Sequence, residues 1–164
     1  MINHNLIQTL KIAAVWLLIA MGIYFMVAHF EQQQTQNRIT VSGEAIEIQR
    51  SHDGHFYWTG SVNGYSTTFL IDTGASITSV PESLVKQAGL PLGASIQLQT
   101  ANGTRSSNLV KADLCLDGGI CIDNLSMTIV YSHDNYGLLG MNVINKMTWS
   151  QSGGVMRFEL KSKS

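Results

Sequence analysis

A dense apolar block lies near the beginning of the chain, at residues 12–30. Its sequence, IAAVWLLIAMGIYFMVAHF, contains no Lys, Arg, Asp or Glu over 19 residues. A helix of this length rises about 28 Å, close to the roughly 30 Å hydrocarbon core of a bilayer. The pattern predicts a single transmembrane anchor, with an N-terminal tail at 1–11 and a polar linker at 31–38.

An uncleaved anchor competes with a signal peptide cleaved near the small residues Ala20 and Gly22. The apolar run continues past that point, which favours the anchor. A buried core helix is a further interpretation, but the block is apolar all round the helix. Lys11 and the amino terminus precede the block and Arg38 follows it, which gives a slight charge bias. That bias predicts that residues 39–164 lie on the periplasmic, extracytoplasmic side of the membrane.

Residues 39–164 show the pattern of short strands. Ile46 and Ile48 alternate with polar neighbours, and Asn63-Gly64 and Asn102-Gly103 are hairpin signals between apolar runs. Strands are predicted at 55–62, 65–71, 96–100, 105–116, 121–131 and 155–160. Such strands at close spacing predict a mostly β, barrel-like or sandwich-like domain.

The pattern also predicts one or two short helices. At residues 80–88, Ser79 and Glu82 have the spacing of a capping box, and Gly89 would end the helix. A second short helix is predicted at 142–147.

Composition narrows the classes of function. The chain has 164 residues, 13% of them charged, with 10 Lys and Arg against 11 Asp and Glu. No basic stripe occurs, which argues against nucleic acid as a partner. A hydrophobic fraction of 45% argues against a disordered chain. Two Cys are too few for a disulfide framework or a zinc site made of Cys alone.

The chemistry is concentrated where the second strand of the first predicted hairpin ends. Asp72 follows three large apolar residues directly, and Thr73 and Gly74 come after it. Burying a carboxylate costs free energy unless neighbours hydrogen-bond it. Thr73 offers a hydroxyl, and Gly74 lets backbone N–H groups come close. This is what a functional carboxylate at the end of a buried strand needs, although a plain Asp-Thr-Gly turn would have the same sequence.

The segment Leu70-Ile71-Asp72-Thr73-Gly74-Ala75-Ser76 resembles the catalytic motif of the retropepsin-like aspartic proteases. Thr100-Ala101-Asn102-Gly103 resembles the flap hairpin of their bacterial, membrane-anchored branch. Gly137-Leu138-Leu139-Gly140-Met141-Asn142 resembles the apolar-apolar-Gly element that the family places behind the catalytic loop. The three motifs occur in the family's order, and the resemblance covers about residues 45–160.

The resemblance implies a closed retropepsin-like acid-protease barrel with one catalytic residue, Asp72, per chain. Thr73, Gly74 and Ala75 would form the active-site loop. Bilobal pepsin-like enzymes carry two such motifs, but Asp117-Gly118-Gly119 and Asp134-Asn135-Tyr136 do not match the motif. A second Asp72 would therefore come from a second chain, in a homodimer. The remaining implied roles are those of the flap, Thr100, Ala101, Asn102 and Gly103, and of the support behind the loop, Leu138, Leu139 and Gly140.

Hydrolysis of a peptide bond needs a base to activate water and an acid to protonate the departing amine. In aspartic proteases two adjacent carboxylates share one proton and supply both functions, as is well established for the class. The reaction would need no metal or cofactor, and the substrate would be a peptide or protein. The Asn102-Gly103 hairpin would cover an extended peptide and bond its backbone as an added strand.

Three other features have competing interpretations. His52-Asp53-Gly54-His55 could begin a metal site, but a solvated approach to a hairpin explains it better. Cys115 and Cys121 can pair across a hairpin or remain buried thiols, and an exported domain favours the disulfide. The domain as a whole could also bind peptides without cutting them, or serve a structural role at the membrane.

Overall fold

The computed structural model describes residues 4–36, 39–42, 45–100, 103–131 and 135–160. The chain divides into two compact units, Met1–Asn37 and Arg38–Ser164. The boundary falls within the predicted linker.

The first unit is one long helix, α1 (His4–Gln36), which contains the apolar block. The side chains described over 11–26 are exposed, including Trp16 and Phe25. Within the residues that the structure describes, no helix is both long and apolar enough to cross a membrane. The anchor at 12–30 stays a prediction from the sequence.

The second unit is mostly β structure. Its described strands are, in chain order, β1 (Ile39–Ser42), β2 (Ala45–Gln49), β3 (Tyr57–Val62), β4 (Tyr65–Ile71), β5 (Ser79–Pro81), β6 (Ser95–Thr100), β7 (Gly103–Leu116), β8 (Ile120–Val130), β9 (Tyr136–Leu139), β10 (Met147–Ser152) and β11 (Val155–Leu160). One sheet has the order β1-β2-β11-β10, and the other has the order β3-β4-β9-β5-β8-β7-β6. Two short helices, α2 (Glu82–Gln87) and α3 (Met141–Ile144), complete the unit.

The larger sheet closes on itself because β3 pairs with both β4 and β7. The β3–β7 contact is short and runs from Gly60 opposite Leu116 to Val62 opposite Leu114. Asp117, in the turn after β7, reinforces it. Its N–H donates to the Thr59 carbonyl at 2.9 Å, its carbonyl accepts from Trp58 Nε1 at 2.8 Å, and its carboxylate accepts from the Thr59 hydroxyl.

The core lies inside this closed sheet and continues under the smaller one. Trp58 of β3 is fully buried, and its ring centroid lies 4.7 Å from that of Phe158 on β11. An aromatic pair of this kind contributes about 0.5–1.5 kcal/mol beyond the area it buries. The Trp58–Phe158 contact therefore joins the two sheets into one hydrophobic core.

The sequence pattern predicts the local hairpins correctly. Asn63 (φ 48°) and Gly64 (φ 83°) form the turn between β3 and β4, as an Asn-Gly signal requires. The β6–β7 hairpin is also confirmed, although Ala101 and Asn102 lie outside the described residues. The strand predicted at 155–160 is β11, and the one predicted at 121–131 is β8, shifted by one residue.

The capping box at Ser79 and Glu82 is wrong. Ser79 belongs to β5, where it pairs with Thr128 of β8 and Leu138 of β9, so its backbone is already committed to the sheet. Helix α2 begins after Pro81, which makes no side-chain cap. The predicted end is confirmed, with Ala88 as the C-cap and Gly89 at φ +60°. The helix predicted at 142–147 is the shorter α3, and Met147 already belongs to β10.

Cys115 and Cys121 form a disulfide across the β7–β8 hairpin. They stand directly opposite one another in the ladder, with their Cα atoms 4.1 Å apart. This confirms the predicted pairing. Because Cys115 also pairs with Ser61 of β3, the disulfide lies at the contact that closes the sheet.

We expect the disulfide to contribute about 2 kcal/mol to the free energy of unfolding, because it closes a loop with a sequence separation of only 6. The comparison is urea unfolding of the protein and of the double variant Cys115→Ser/Cys121→Ser. Reductant should lower the midpoint of the unmutated protein and leave the double variant unchanged. Equal midpoints for the two proteins, or thiol labelling of the unmutated protein before reduction, would contradict the expectation.

Candidate active site

Asp72 lies at the point where β4 leaves the sheet. Its N–H donates to the Leu139 carbonyl at 3.1 Å and extends the parallel β4–β9 pairing by one bond. The side chain of Asp72 is half-buried, whereas Thr73 and Gly74 after it are exposed. The apolar strand thus delivers the carboxylate to the surface end of the sheet, as the sequence predicts.

A tight turn fixes one oxygen of this carboxylate. The Gly74 N–H donates to Asp72 Oδ1 at 2.8 Å, and the Ala75 N–H donates to the Asp72 carbonyl at 3.2 Å. A Cβ added at Gly74 would lie 3.1 Å from Oδ1, so a larger residue there would crowd the carboxylate oxygen. Among the described residues, none donates a hydrogen bond to Oδ2. The carboxylate is therefore oriented through one oxygen and open through the other.

The start of α3 holds the chain that follows the Asp72 turn. The Met141 N–H donates to the Ala75 carbonyl at 2.8 Å, and the Asn142 N–H donates to the Ser76 carbonyl at 3.1 Å. Gly140 makes this approach feasible, because an added Cβ would lie 2.6 Å from the carbonyl carbon of Ile77. The predicted support at Gly140 thus lies directly against the segment that follows Asp72.

Asn142 and Thr78 are two further residues of this arrangement to which the sequence analysis assigns no role. Asn142 Oδ1 accepts from the Thr78 N–H at 2.8 Å and from its hydroxyl at 2.7 Å, and Asn142 Nδ2 donates to the Ser126 carbonyl at 3.2 Å. The Thr78 hydroxyl accepts from the Gly140 N–H at 3.1 Å. The sequence gives little sign of this network, because Thr78 and Asn142 are separated by 64 residues and meet only in the folded chain.

The two leucines of the apolar-apolar-Gly element face different ways. Leu139 is fully buried opposite Ile71, whereas Leu138 is half-exposed and pairs with the half-exposed Leu70 of β4. Leu139 belongs to the hydrophobic core beneath the Asp72 loop. Leu70 and Leu138 form an apolar surface on the other face of the sheet, close to the end where Asp72 lies.

The loop at 50–56 lies beside the same strand end. The Phe56 carbonyl accepts from the Ile71 N–H at 2.9 Å. Asp53 accepts from the Tyr57 hydroxyl at 2.7 Å and from the His55 N–H at 3.0 Å. The Tyr57 hydrogen bond, followed by that of His55, lowers the pKa of Asp53. Over the described part of the chain, no group of three or more His, Cys, Asp or Glu could hold a metal ion.

The predicted flap is the hairpin of β6 and β7. The Thr100 hydroxyl donates to the Gly103 carbonyl at 2.6 Å and closes the hairpin beside the undescribed Ala101 and Asn102. Side chains also pair across it, with Gln97 Nε2 donating to Ser106 Oγ at 2.8 Å. The β6–β7 pairing extends to Thr100 opposite Gly103.

This arrangement offers half of an acid–base pair. An ionised Asp72 can accept a proton from water at its open oxygen, but it cannot also protonate a leaving group in the same step. Two other carboxylates of the domain have partners elsewhere. Asp113 accepts from the Asn124 N–H at 2.8 Å, and Asp117 accepts from Thr59. Among the described residues, no carboxylate hydrogen-bonds to Asp72.

Comparison with known proteins identifies a matching family and a similar solved structure. The family model for a gag-polyprotein putative aspartyl protease matches residues 58–146. A retropepsin-like aspartic protease from Rickettsia conorii has a similar crystal structure, with a TM-score of 0.62 and 22% identity, over 74% of this chain and 95% of that one. That likeness shows a shared retropepsin-like fold.

A relative from Sinorhizobium matches almost the whole chain. It bears the name uncharacterized protein in cobV 5'region and is 25% identical over an alignment of 168 positions that covers 91% of this chain and 72% of the relative.

We expect Asn142→Ala to lower the free energy of unfolding by about 1–3 kcal/mol, because the N–H and hydroxyl of the buried Thr78 lose their acceptor. Urea unfolding measures the effect. Gln87→Ala removes an exposed amide from the end of α2 and is the matched control. If the two variants were equally stable, Asn142 would not hold the loop segment in place.

Proposed function

We propose that this chain, which belongs to the family of gag-polyprotein putative aspartyl proteases, is an aspartic endopeptidase whose active site contains Asp72 from two copies. One observation carries the proposal. Asp72 directly follows β4, with one carboxylate oxygen held by the Gly74 N–H, and no described residue donates a hydrogen bond to the other oxygen. That is the geometry of a carboxylate prepared to accept a proton.

In the proposed reaction, one ionised Asp72 takes a proton from water as the water oxygen attacks the carbon of the scissile carbonyl. The Asp72 of the second copy is protonated and donates a hydrogen bond to the carbonyl oxygen. The tetrahedral intermediate then breaks its C–N bond, and the departing nitrogen receives a proton from the carboxyl pair. Water is the only reagent besides the peptide, so the step needs no metal or cofactor.

The second carboxylate is assigned to a second copy because one chain supplies a single Asp-Thr-Gly turn. Thr73 would orient the loops where the two copies meet, since it is exposed beside Asp72. A homodimer with two equivalent Asp72 residues meets the requirement with no further component.

An extended peptide is the substrate class that fits. The β6–β7 hairpin would fold over the peptide and bond its backbone, and the half-exposed Leu70 and Leu138 offer an apolar surface for a side chain. Binding of this kind would hold the peptide across both Asp72 carboxylates and exclude water from the reacting bond.

We place the peptidase domain outside the cytoplasm, held to the membrane by residues 12–30. Two observations support this placement. The block has no charged residue, and the Cys115–Cys121 disulfide is typical of an oxidising compartment. Its substrates would then be exported peptides or neighbouring membrane proteins.

Asp72→Asn keeps the size of the side chain and removes the base. Peptide cleavage by the full-length protein should fall by at least about 10²–10⁴-fold, because base and acid are lost together. The thermal unfolding midpoint should change little, since Asn can still accept from the Gly74 N–H. A folded Asp72→Asn protein with near-normal cleavage would sink the mechanism. Peptide binding without cleavage by the unmutated protein would support the non-catalytic alternative.

Mixing tests the second subunit. Co-expression of the unmutated chain with excess Asp72→Ala should lower the cleavage rate per unmutated chain, because each mixed pair contains only one Asp72 carboxylate. Specific activity should also fall on dilution, as mass action separates the subunits. Activity that stays proportional to the unmutated chain at every ratio and dilution would mean that one subunit suffices.

A further inference from the structure

Ser79 of β5 carries a hydroxyl group that the fold buries without a partner. The residue is 5% exposed, and among the described residues no group hydrogen-bonds its Oγ. The large majority of buried side-chain polar atoms in native proteins are hydrogen-bonded. A buried hydroxyl without a partner destabilises the folded chain, because it loses its hydrogen bonds to water. The hydrogen bonds of this domain therefore do not explain why a hydroxyl stands at this position.

The strand register shows which face of the larger sheet Ser79 occupies. Its neighbour Val80 is fully buried in the hydrophobic core. Successive side chains of a strand point to opposite faces, so Ser79 faces away from that core. Its direct partner on β9 is Leu138, which alternates in the same way with the fully buried Leu139. Ser79 and Leu138 therefore project from the same outer face of the sheet.

This outer face carries one row of side chains across four neighbouring strands. Directly paired residues share a face, and the row consists of Leu70 on β4, Leu138 on β9, Ser79 on β5 and Thr128 on β8. The two leucines are half-exposed, whereas the two hydroxyl-bearing residues are buried. Side chains directly opposite one another on antiparallel strands have Cβ atoms about 5 Å apart. A side chain that packs on Leu138 would therefore reach the Ser79 hydroxyl.

The row lies close to the candidate catalytic carboxylate. Leu70 precedes Asp72 by two residues, and the carbonyl of Leu139, the neighbour of Leu138, accepts from the Asp72 N–H. Two residues of a strand span about 7 Å, and two strand spacings span about 10 Å. An extended peptide held at Asp72 would therefore place the side chain of a residue near the scissile bond over Leu138 and Ser79.

We infer, on the basis of the peptidase proposed above, that Ser79 determines which substrate side chain the site prefers. That side chain packs on Leu138 and exchanges a hydrogen bond with the Ser79 hydroxyl, which can donate or accept. It is uncharged and carries a hydroxyl or an amide, as in Thr or Asn. A charged side chain is disfavoured because the position is buried and the row contains no opposite charge. An apolar side chain would leave the Ser79 hydroxyl unpaired.

Stability separates this role from a structural one. Ser79→Ala removes the hydroxyl and breaks no hydrogen bond among the described residues. Its midpoint in urea unfolding should therefore equal or exceed that of the unmutated protein, because a buried polar group without a partner is lost. A clearly lower midpoint for Ser79→Ala would show that the hydroxyl stabilises the fold, and it would overturn the assignment of this group to the substrate.

Cleavage of matched peptides by the full-length protein tests the preference. A random peptide library supplies a cleaved sequence, and Thr and Val, which have nearly the same shape, are then exchanged at each position near the cut. At one position kcat/KM should be about 3–10-fold higher for the Thr peptide, because one hydrogen bond is gained. Ser79→Ala should abolish this difference, and Ser79→Thr should retain it. Ser66→Ala, which removes an exposed hydroxyl from β4, is the matched control and should also retain it.

The outcomes distinguish the role of Ser79 from the peptidase activity itself. Cleavage with no preference for Thr at any position, or with a preference that Ser79→Ala keeps, would overturn the role of Ser79 and leave the peptidase standing. If the unmutated protein cleaves no peptide, binders are selected from the same library and Thr and Val are exchanged in them. A preference for Thr in binding that Ser79→Ala abolishes would then support the role of Ser79 and overturn the peptidase, whereas a library without any binder would overturn both.

Discussion

The short strand β9 determines where Asp72 lies. It pairs parallel with β4 and touches β5 in the antiparallel sense at Ser79. The chain therefore leaves β4 after Ile71, crosses the end of β9 through residues 72–78, and enters the sheet again on the other side. A segment stretched between two strands that flank a third has few conformations open to it. This constraint places the carboxylate at the sheet end and keeps it there.

Burying the crossing segment costs free energy, because its backbone N–H and C=O groups have no neighbouring strand to bond. Helix α3 supplies part of the compensation by donating to Ala75 and Ser76, and the Asn142 side chain supplies the acceptor for Thr78. Gly140 must lack a side chain for the two segments to approach. The motif downstream of Asp72 is thus explained by its hydrogen bonds to the segment that follows Asp72.

Local signals in the sequence predict the parts of the fold that local physics determines. The Asn63-Gly64 turn and the Gly89 helix end follow from glycine conformation and hold in the structure. The capping box fails because Ser79 is recruited into β5 by strands distant in sequence, which no local pattern reveals. The same reason hides β10, whose residues MTWSQS lack clear apolar alternation and become a strand through pairing with β11.

The residues of the candidate site likewise fall into those that a local sequence pattern predicts and those that it does not. Asp72 and Gly74 are readable because a carboxylate after an apolar strand needs a nearby N–H donor, and the structure supplies that donor. The Thr78–Asn142 pair is not readable, since a sequence separation of 64 gives no local signal. The pattern therefore identifies the candidate carboxylate, while the residues that hold its loop are found only when distant segments are brought together in the fold.

The Asp72 turn is held entirely within one chain, which has a consequence for a site shared by two. Because Gly74, Leu139 and the start of α3 already fix the loop, association does not have to order it. The unfavourable part of the free energy of association is then mainly the lost translational and rotational freedom of two preformed subunits. On the proposed mechanism, folding prepares each half-site, and the local concentration of chains decides how many halves meet.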